Sequence, residues 1–240
     1  HLQNTQNDSA FKNLTEALKI AESLKDTNAI INIERTLGAV YLVTRNRDQA
    51  LTKFNISLNL AKGKSDSVNM AKALNNLSIL SSQAKEYENA LSYLNRALDL
   101  KIAFAPKWEQ ISTFINIGNN YSNLQNYEKA LNYLERAKNL AIEHNKKIQL
   151  AEVWFHEANV YRALKDFENS EKAFNESMQI STELNDFGHL KLTVKSYAEF
   201  LMEFEKWKLA EVHLEAILSE LSEKENPLLL SEIYFDLGKI

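Results

Sequence analysis

Apolar residues recur along this chain at helical spacing, and the helices they define come in pairs. Ile111, Phe114, Ile115, Ile117, Gly118, Tyr121 and Leu124 fall on one broad face, the i, i+3, i+4 signature of an amphipathic helix. Tyr127, Ala130, Leu131, Leu134, Ala137 and Leu140 form a second such stripe, and only the polar pair Gln125-Asn126 separates the two. A link this short predicts two antiparallel helices.

The same pattern returns every 40 residues. Five windows, beginning at Leu37, Leu77, Ile117, Glu157 and Tyr197, align without a gap, and a sixth begins at Leu237. Gly38, Gly118 and Gly238 share one repeat position with Ser78, Ala158 and Ala198. A small residue is expected there because two helices approach closely, and packing must offset the roughly 1 kcal/mol that Gly costs inside a helix. Short polar turns recur at Arg45-Asn46-Arg47, Lys85-Glu86, Gln125-Asn126, Lys165-Asp166 and Glu205-Lys206. Tyr87, Tyr127, Phe167 and Trp207 open the helices that follow four of these turns. Gly63, Pro106, Gly188 and Pro227 are expected between one pair and the next, Gly suiting a helix end and Pro a helix start. The expected pairs cover about 27–66, 67–106, 107–146, 147–186 and 187–226 of one continuous all-α domain. Residues 1–8 read as a frayed lead-in, residues 9–25 as a second helix without its first, and Leu228–Ile240 as a first helix without its second. A terminal repeat should carry a polar outer face, which Leu229, Leu230, Ile233 and Leu237 do not provide. The expectation is therefore an excised piece of a longer array, or self-association through that last helix.

Composition narrows the function classes. Lys and Arg number 28 against 32 Asp and Glu, a net charge of -4, so there is no basic footprint for nucleic acid. No apolar run reaches the roughly 20 residues of a membrane span. With no Cys, disulfides and thiolate metal sites are excluded. The compartment is not encoded, although the cytoplasm is favoured.

The order small residue, Tyr, turn, Ala, large apolar, Ala resembles the tetratricopeptide repeat. The large residue early in the first helix is Leu74, Phe114, Trp154, Val194 or Tyr234, with Glu34 departing; the Tyr is Tyr41, Tyr121 or Tyr161, with Ser81 and Leu201 departing. The Ala opening the second helix is Ala50, Ala90, Ala130 or Ala210, with Ser170 departing. The familiar period is 34 residues, so the resemblance is to the long-repeat branch of kinesin light chains and bacterial peptide-sensing regulators. It implies a right-handed superhelical solenoid whose first helices line a concave groove, and a protein or peptide as partner.

Carried over position by position, the resemblance puts Arg35, Asn75, Asn76, Asn116, Asn119 and Asn123 in the groove, followed by Phe155, His156, Asn159, Arg162 and Glu199. An amide both donates and accepts, so a ladder of Asn could pair with the main chain of an extended peptide whatever its side chains. The alternative is solvated polar surface, since Asn also decorates the second helices at Asn55, Asn59, Asn132 and Asn175. Asn120 flanks this set, in the groove or against the neighbouring helix. Ile115, Phe155 and Leu192 offer either ligand pockets or contacts between first helices. Arg35 and Arg162 suit an acidic ligand group or a pairing within the protein. The Lys/Asn/Asn/Lys/Arg set that clamps a terminal carboxylate in some family members is absent, the later positions reading His156, Leu192 and Ser196.

Catalysis is not expected. His156-Glu157 lacks a second His, because residue 160 is Val160, and Glu152 with His156 supplies only two ligands on one helix. There is no Gly-rich phosphate loop, so neither metal nor cofactor is expected. The leading expectation is a peptide- or protein-binding scaffold forming the sensory or adaptor part of a signalling protein, with a self-associating structural module as the alternative.

Overall fold

The computed structural model describes residues 2–206, with side chains from Ser9 onward. Among the described residues the chain is all-α: α1 (Leu2–Ser23), α2 (Thr27–Val43), α3 (Arg47–Gly63), α4 (Ser67–Gln83), α5 (Tyr87–Phe104), α6 (Ile111–Asn123), α7 (Tyr127–Glu143), α8 (Lys147–Ala163), α9 (Phe167–Glu183) and α10 (Phe187–Glu203), with a 3-10 turn at Lys107–Gln110. The lead-in expected over residues 1–8 is helical from Leu2, as the start of α1. The helix expected after Trp207 and the lone helix Leu228–Ile240, with its suggested role in self-association, lie outside the described residues. The chain divides into two compact units at the Gln125–Asn126 bond.

Nine turns are built alike. Lys25, Arg45, Ser65, Lys85, Gln125, Asn145, Lys165, Asn185 and Glu205 all have φ between 50 and 62°. They stand 20 residues apart, with a single gap at 105. In eight of them the next residue's N–H reaches back to close the helix, as in Asp26 N–H to Ala21 O at 2.9 Å and Glu86 N–H to Ser81 O at 2.9 Å. This is a Schellman closure made with side-chain-bearing residues where Gly is usual. Six of the following residues then cap the next helix: Asp26, Asn46, Asp66, Asn126, Asp166 and Asp186 each accept from the N–H three residues on. Such a cap contributes about 1 kcal/mol. The expected Gly signals therefore mark other places: Gly63 is the last residue of α3 and Gly188 the second of α10, and neither has a positive φ. The gap at 105 has a cause. Pro106 constrains the residue before it to extended backbone, and Ala105 sits at φ -129°, ψ 158°. The chain accordingly enters α6 through the 3-10 turn.

In the first unit, α2 and α3 run antiparallel around Leu37, Ala50 and Phe54, all buried. A Cβ on Gly38 would lie 2.5 Å from the Phe54 ring, so the glycine permits this approach. Ser57, on the position held by Ala97 and Ala137, donates to Ile31 O at 2.9 Å. Glu34 stands where Leu74 and Phe114 are buried in later repeats, and Lys53 answers it at 2.8 Å. Lys101 occupies the position of Ala61 and Ala141; its buried ammonium donates to Glu109 O at 2.7 Å, and burial lowers its pKa to about 8.

The second unit repeats these solutions. Ser177 donates to Ala151 O at 2.9 Å. Glu157 is buried, and both of its oxygens accept from Lys138 Nζ at 2.8 Å, while the same ammonium lies 4.3 Å from the Trp154 ring centroid. Phe174, Tyr197 and Phe200 form an aromatic core, with Phe167 stacked on Phe200 at 5.0 Å.

Candidate functional site

The first helices of each unit carry every residue that the sequence singled out. In the first unit, α2, α4 and α6 follow one another, and repeat position decides each side chain's environment. At the first position, Arg35 is half-buried, Asn75 is buried and Ile115 is fully buried. Asn75 Oδ1 accepts from the Thr113 hydroxyl at 3.2 Å, tying α4 to α6. A second tie lies farther along the pair, where Ser82 donates to Asn120 Oδ1 at 2.7 Å and Asn120 donates to Asn116 O at 2.8 Å. Asn75 and Asn120 thus hold helices together.

Asn76, Asn116 and Asn119 are half-buried, and Asn123 is exposed. Among the described residues, no protein group hydrogen-bonds any of these four amides. They sit on α4 and α6, with Asn76 and Asn116 on the same repeat position. A half-buried amide without a protein partner is hydrated, and leaving it unpaired when that water is displaced costs about 1–3 kcal/mol.

Arg35 is the charged member of this face. Among the described residues its guanidinium reaches only Asn32 Oδ1, at 3.5 Å, and its buried Nε has no hydrogen-bond partner there. Burial lowers its pKa.

In the second unit the predicted residues are committed to the fold to different degrees. Arg162 on α8 forms a two-point ion pair with Glu203 of α10, Nε to Oε2 at 2.9 Å, and its Nη1 lies 3.6 Å from Glu199. The Glu203 hydrogen bond raises the Arg162 pKa, and Arg162 in turn lowers that of Glu203. Arg162 and Glu199 are thus brought together in one ion-pair network. Phe155 packs edge-on against His156 at 5.4 Å and against His189 at 5.7 Å, making the contact between α8 and α10. Leu192 is exposed. Asn159 donates to Phe155 O of its own helix at 2.8 Å. The His156 ring retains some surface, but desolvation, helped by His189, holds it neutral with a pKa of about 4; desolvation also raises Glu152. Among the described residues no three His, Cys, Asp or Glu side chains are grouped to hold a metal ion, and no helix is long and apolar enough to cross a membrane.

Comparison with known proteins agrees with this architecture. The model of the tetratricopeptide repeat family matches residues 26–103 and 109–183. A second model, that of anaphase-promoting complex subunit 5, matches residues 1–40 alone. No curated protein matches the sequence. Among solved structures, BtubC (BKLC) from P. vanneervenii is similar over 93% of this chain and 92% of its own, with a TM-score of 0.72 and 15% identity. A Rap protein complexed with competence and sporulation factor is similar over 99% of this chain and 71% of its own, with a TM-score of 0.71 and 14% identity. The apo form of the quorum sensor NprR from B. thuringiensis is similar over 95% of this chain and 64% of its own, with a TM-score of 0.68 and 16% identity. At these identities the likeness is one of fold. The family match spans more than half of the chain and falls on the helix pairs described above, and the chain therefore belongs to the tetratricopeptide repeat family.

Proposed function

We propose that this chain is a binding scaffold that holds an extended peptide or partner segment on its first helices, as the sensory or adaptor part of a signalling protein. The observation that carries this reading is the set of four amides, Asn76, Asn116, Asn119 and Asn123, which α4 and α6 present without a protein partner. Their donors and acceptors match the N–H and C=O groups of an extended backbone. Asn75 and Asn120 support the same reading from the other side, because their helix ties keep the free amides at a fixed spacing. Two proteins of like fold give it context: the Rap protein was solved with competence and sporulation factor, and NprR is a quorum sensor.

The test is binding to an array of acetylated, amidated octapeptides of varied sequence, with Asn116→Ala and Asn119→Ala measured against the unaltered chain. One lost amide contact of about 1 kcal/mol weakens binding roughly fivefold, with helicity by circular dichroism unchanged. Equal affinity of both variants for every captured peptide would rule out the amide face.

A further inference from the structure

From the buried, unanswered guanidinium nitrogen of Arg35 we infer that the segment held on this face places a carboxylate against it. The inference rests on the proposed peptide-binding reading and adds the chemistry of the ligand to it. The scaffold admits charge to its interior repeatedly and answers most of it from within the protein. Glu34 meets Lys53, Glu157 meets Lys138, Arg162 meets Glu203 and Glu199, and Lys101 meets a carbonyl. Glu152 and Arg35 are not answered in this way: burial pushes the Glu152 carboxyl up toward its neutral form, a route that a guanidinium does not have. Among the described residues no acid pairs with Arg35, and its buried Nε has no acceptor.

The repeat explains the gap. One repeat later, Asn75 stands in the place of Arg35 and is answered by Thr113 on the next first helix. The residue in Thr113's place for Arg35 is Ala73, which is fully buried and has no acceptor in its side chain. Among the described residues, no side chain of the next first helix pairs with the guanidinium. A half-desolvated charge with no partner is costly, and a planar donor fork is suited to a carboxylate. The same side chain shares its face with the free amide of Asn76, one position around on α4. An extended segment whose main chain pairs with the amides would bring an Asp or Glu side chain, or its own terminal carboxylate, to Arg35.

The experiment compares the full chain with Arg35→Met and Arg35→Lys. The probes are matched octapeptides that differ at one position: Glu or Asp, Gln or Asn, and Lys, each with an amidated or a free C-terminus. The unaltered chain is expected to prefer the acidic peptides about tenfold, and Arg35→Met to bind acidic and neutral members alike. Arg35→Lys, which keeps the charge but loses the fork, should retain part of the preference. Preference confined to free C-termini assigns the carboxylate to the chain end, and preference in amidated peptides assigns it to a side chain. Without peptide, Arg35→Met should melt higher by roughly 2–4 °C, since it removes a desolvated charge. Peptide binding that Asn119→Ala weakens but that shows no acid preference, or an acid preference that survives in Arg35→Met, overturns the Arg35 assignment and leaves the amide reading standing. Failure of all peptides to bind overturns both.

Discussion

Arg162 and Arg35 both sit on first helices of one repeating pattern, at different repeat positions, and they differ in what the next first helix brings to them. Arg162 finds Glu203 and Glu199; the same offsets from Arg35 reach Asn76 and Lys72, neither of them an acid. Their sequence contexts do not separate them, because the deciding residue is about 40 positions away and acts only once the helices are stacked. The same holds for the asparagines. Six of them look alike along α4 and α6, yet Asn75 and Asn120 are spent on helix ties. The candidate positions were legible from the repeat; their availability was not. His156 gives this scale its own prediction. Its folded pKa of about 4 lies below the 6.5 of a free imidazole, so the unfolded chain takes up its proton first as pH falls. The stability it contributes is complete above pH 6.5 and is lost on the way down through pH 4, on the order of 2–3 kcal/mol. Urea unfolding between these pH values should show that slope, and His156→Gln should flatten it.

At the scale of the element, the helices were legible because their stripes are wide and their small and aromatic residues repeat. The way they end was not. Nine turns put a Lys, Arg, Ser, Gln, Asn or Glu in the left-handed region, whereas sequence signals for that conformation rest on Gly. Gly63 and Gly188 stand near two of these turns but do not form them. The 3-10 entry to α6 follows from Pro106, whose local meaning was plain. Its effect on Ala105, which leaves the left-handed series, appears only beside the other turns. Lys85, exposed at φ 61°, is the natural place to test this account. Lys85→Gly should stabilise the protein by about 1 kcal/mol, read as a higher midpoint in urea. Ala105→Gly should bring no such gain, because Ala105 is extended.

In the molecule as a whole, each unit is built from contacts between helices near in sequence, so its stability is close to a sum over neighbours. The buried exceptions follow the same economy: Glu34 with Lys53 and Ser57 with Ile31 each close within the block from Asp26 to Ser65. Lys64 with Asn28 does so as well, at 2.9 Å. The twenty-residue spacing of the turns then makes this block a cassette. Removing residues 26–65 joins Lys25 directly to Asp66, a left-handed residue followed by a working cap, as at six junctions of the intact chain. The only described hydrogen bond between side chains that the excision severs is the exposed Arg47–Glu86 pair, and such a pair contributes at most about 1 kcal/mol. The shortened chain should fold, with undiminished helix per residue in circular dichroism and a cooperative melt. It should also keep the amides of α4 and α6 while losing Arg35. A turn of one geometry recurring at nine joints thus makes array length, and with it the charge offered to a ligand, something that recombination can edit without redesigning a single helix.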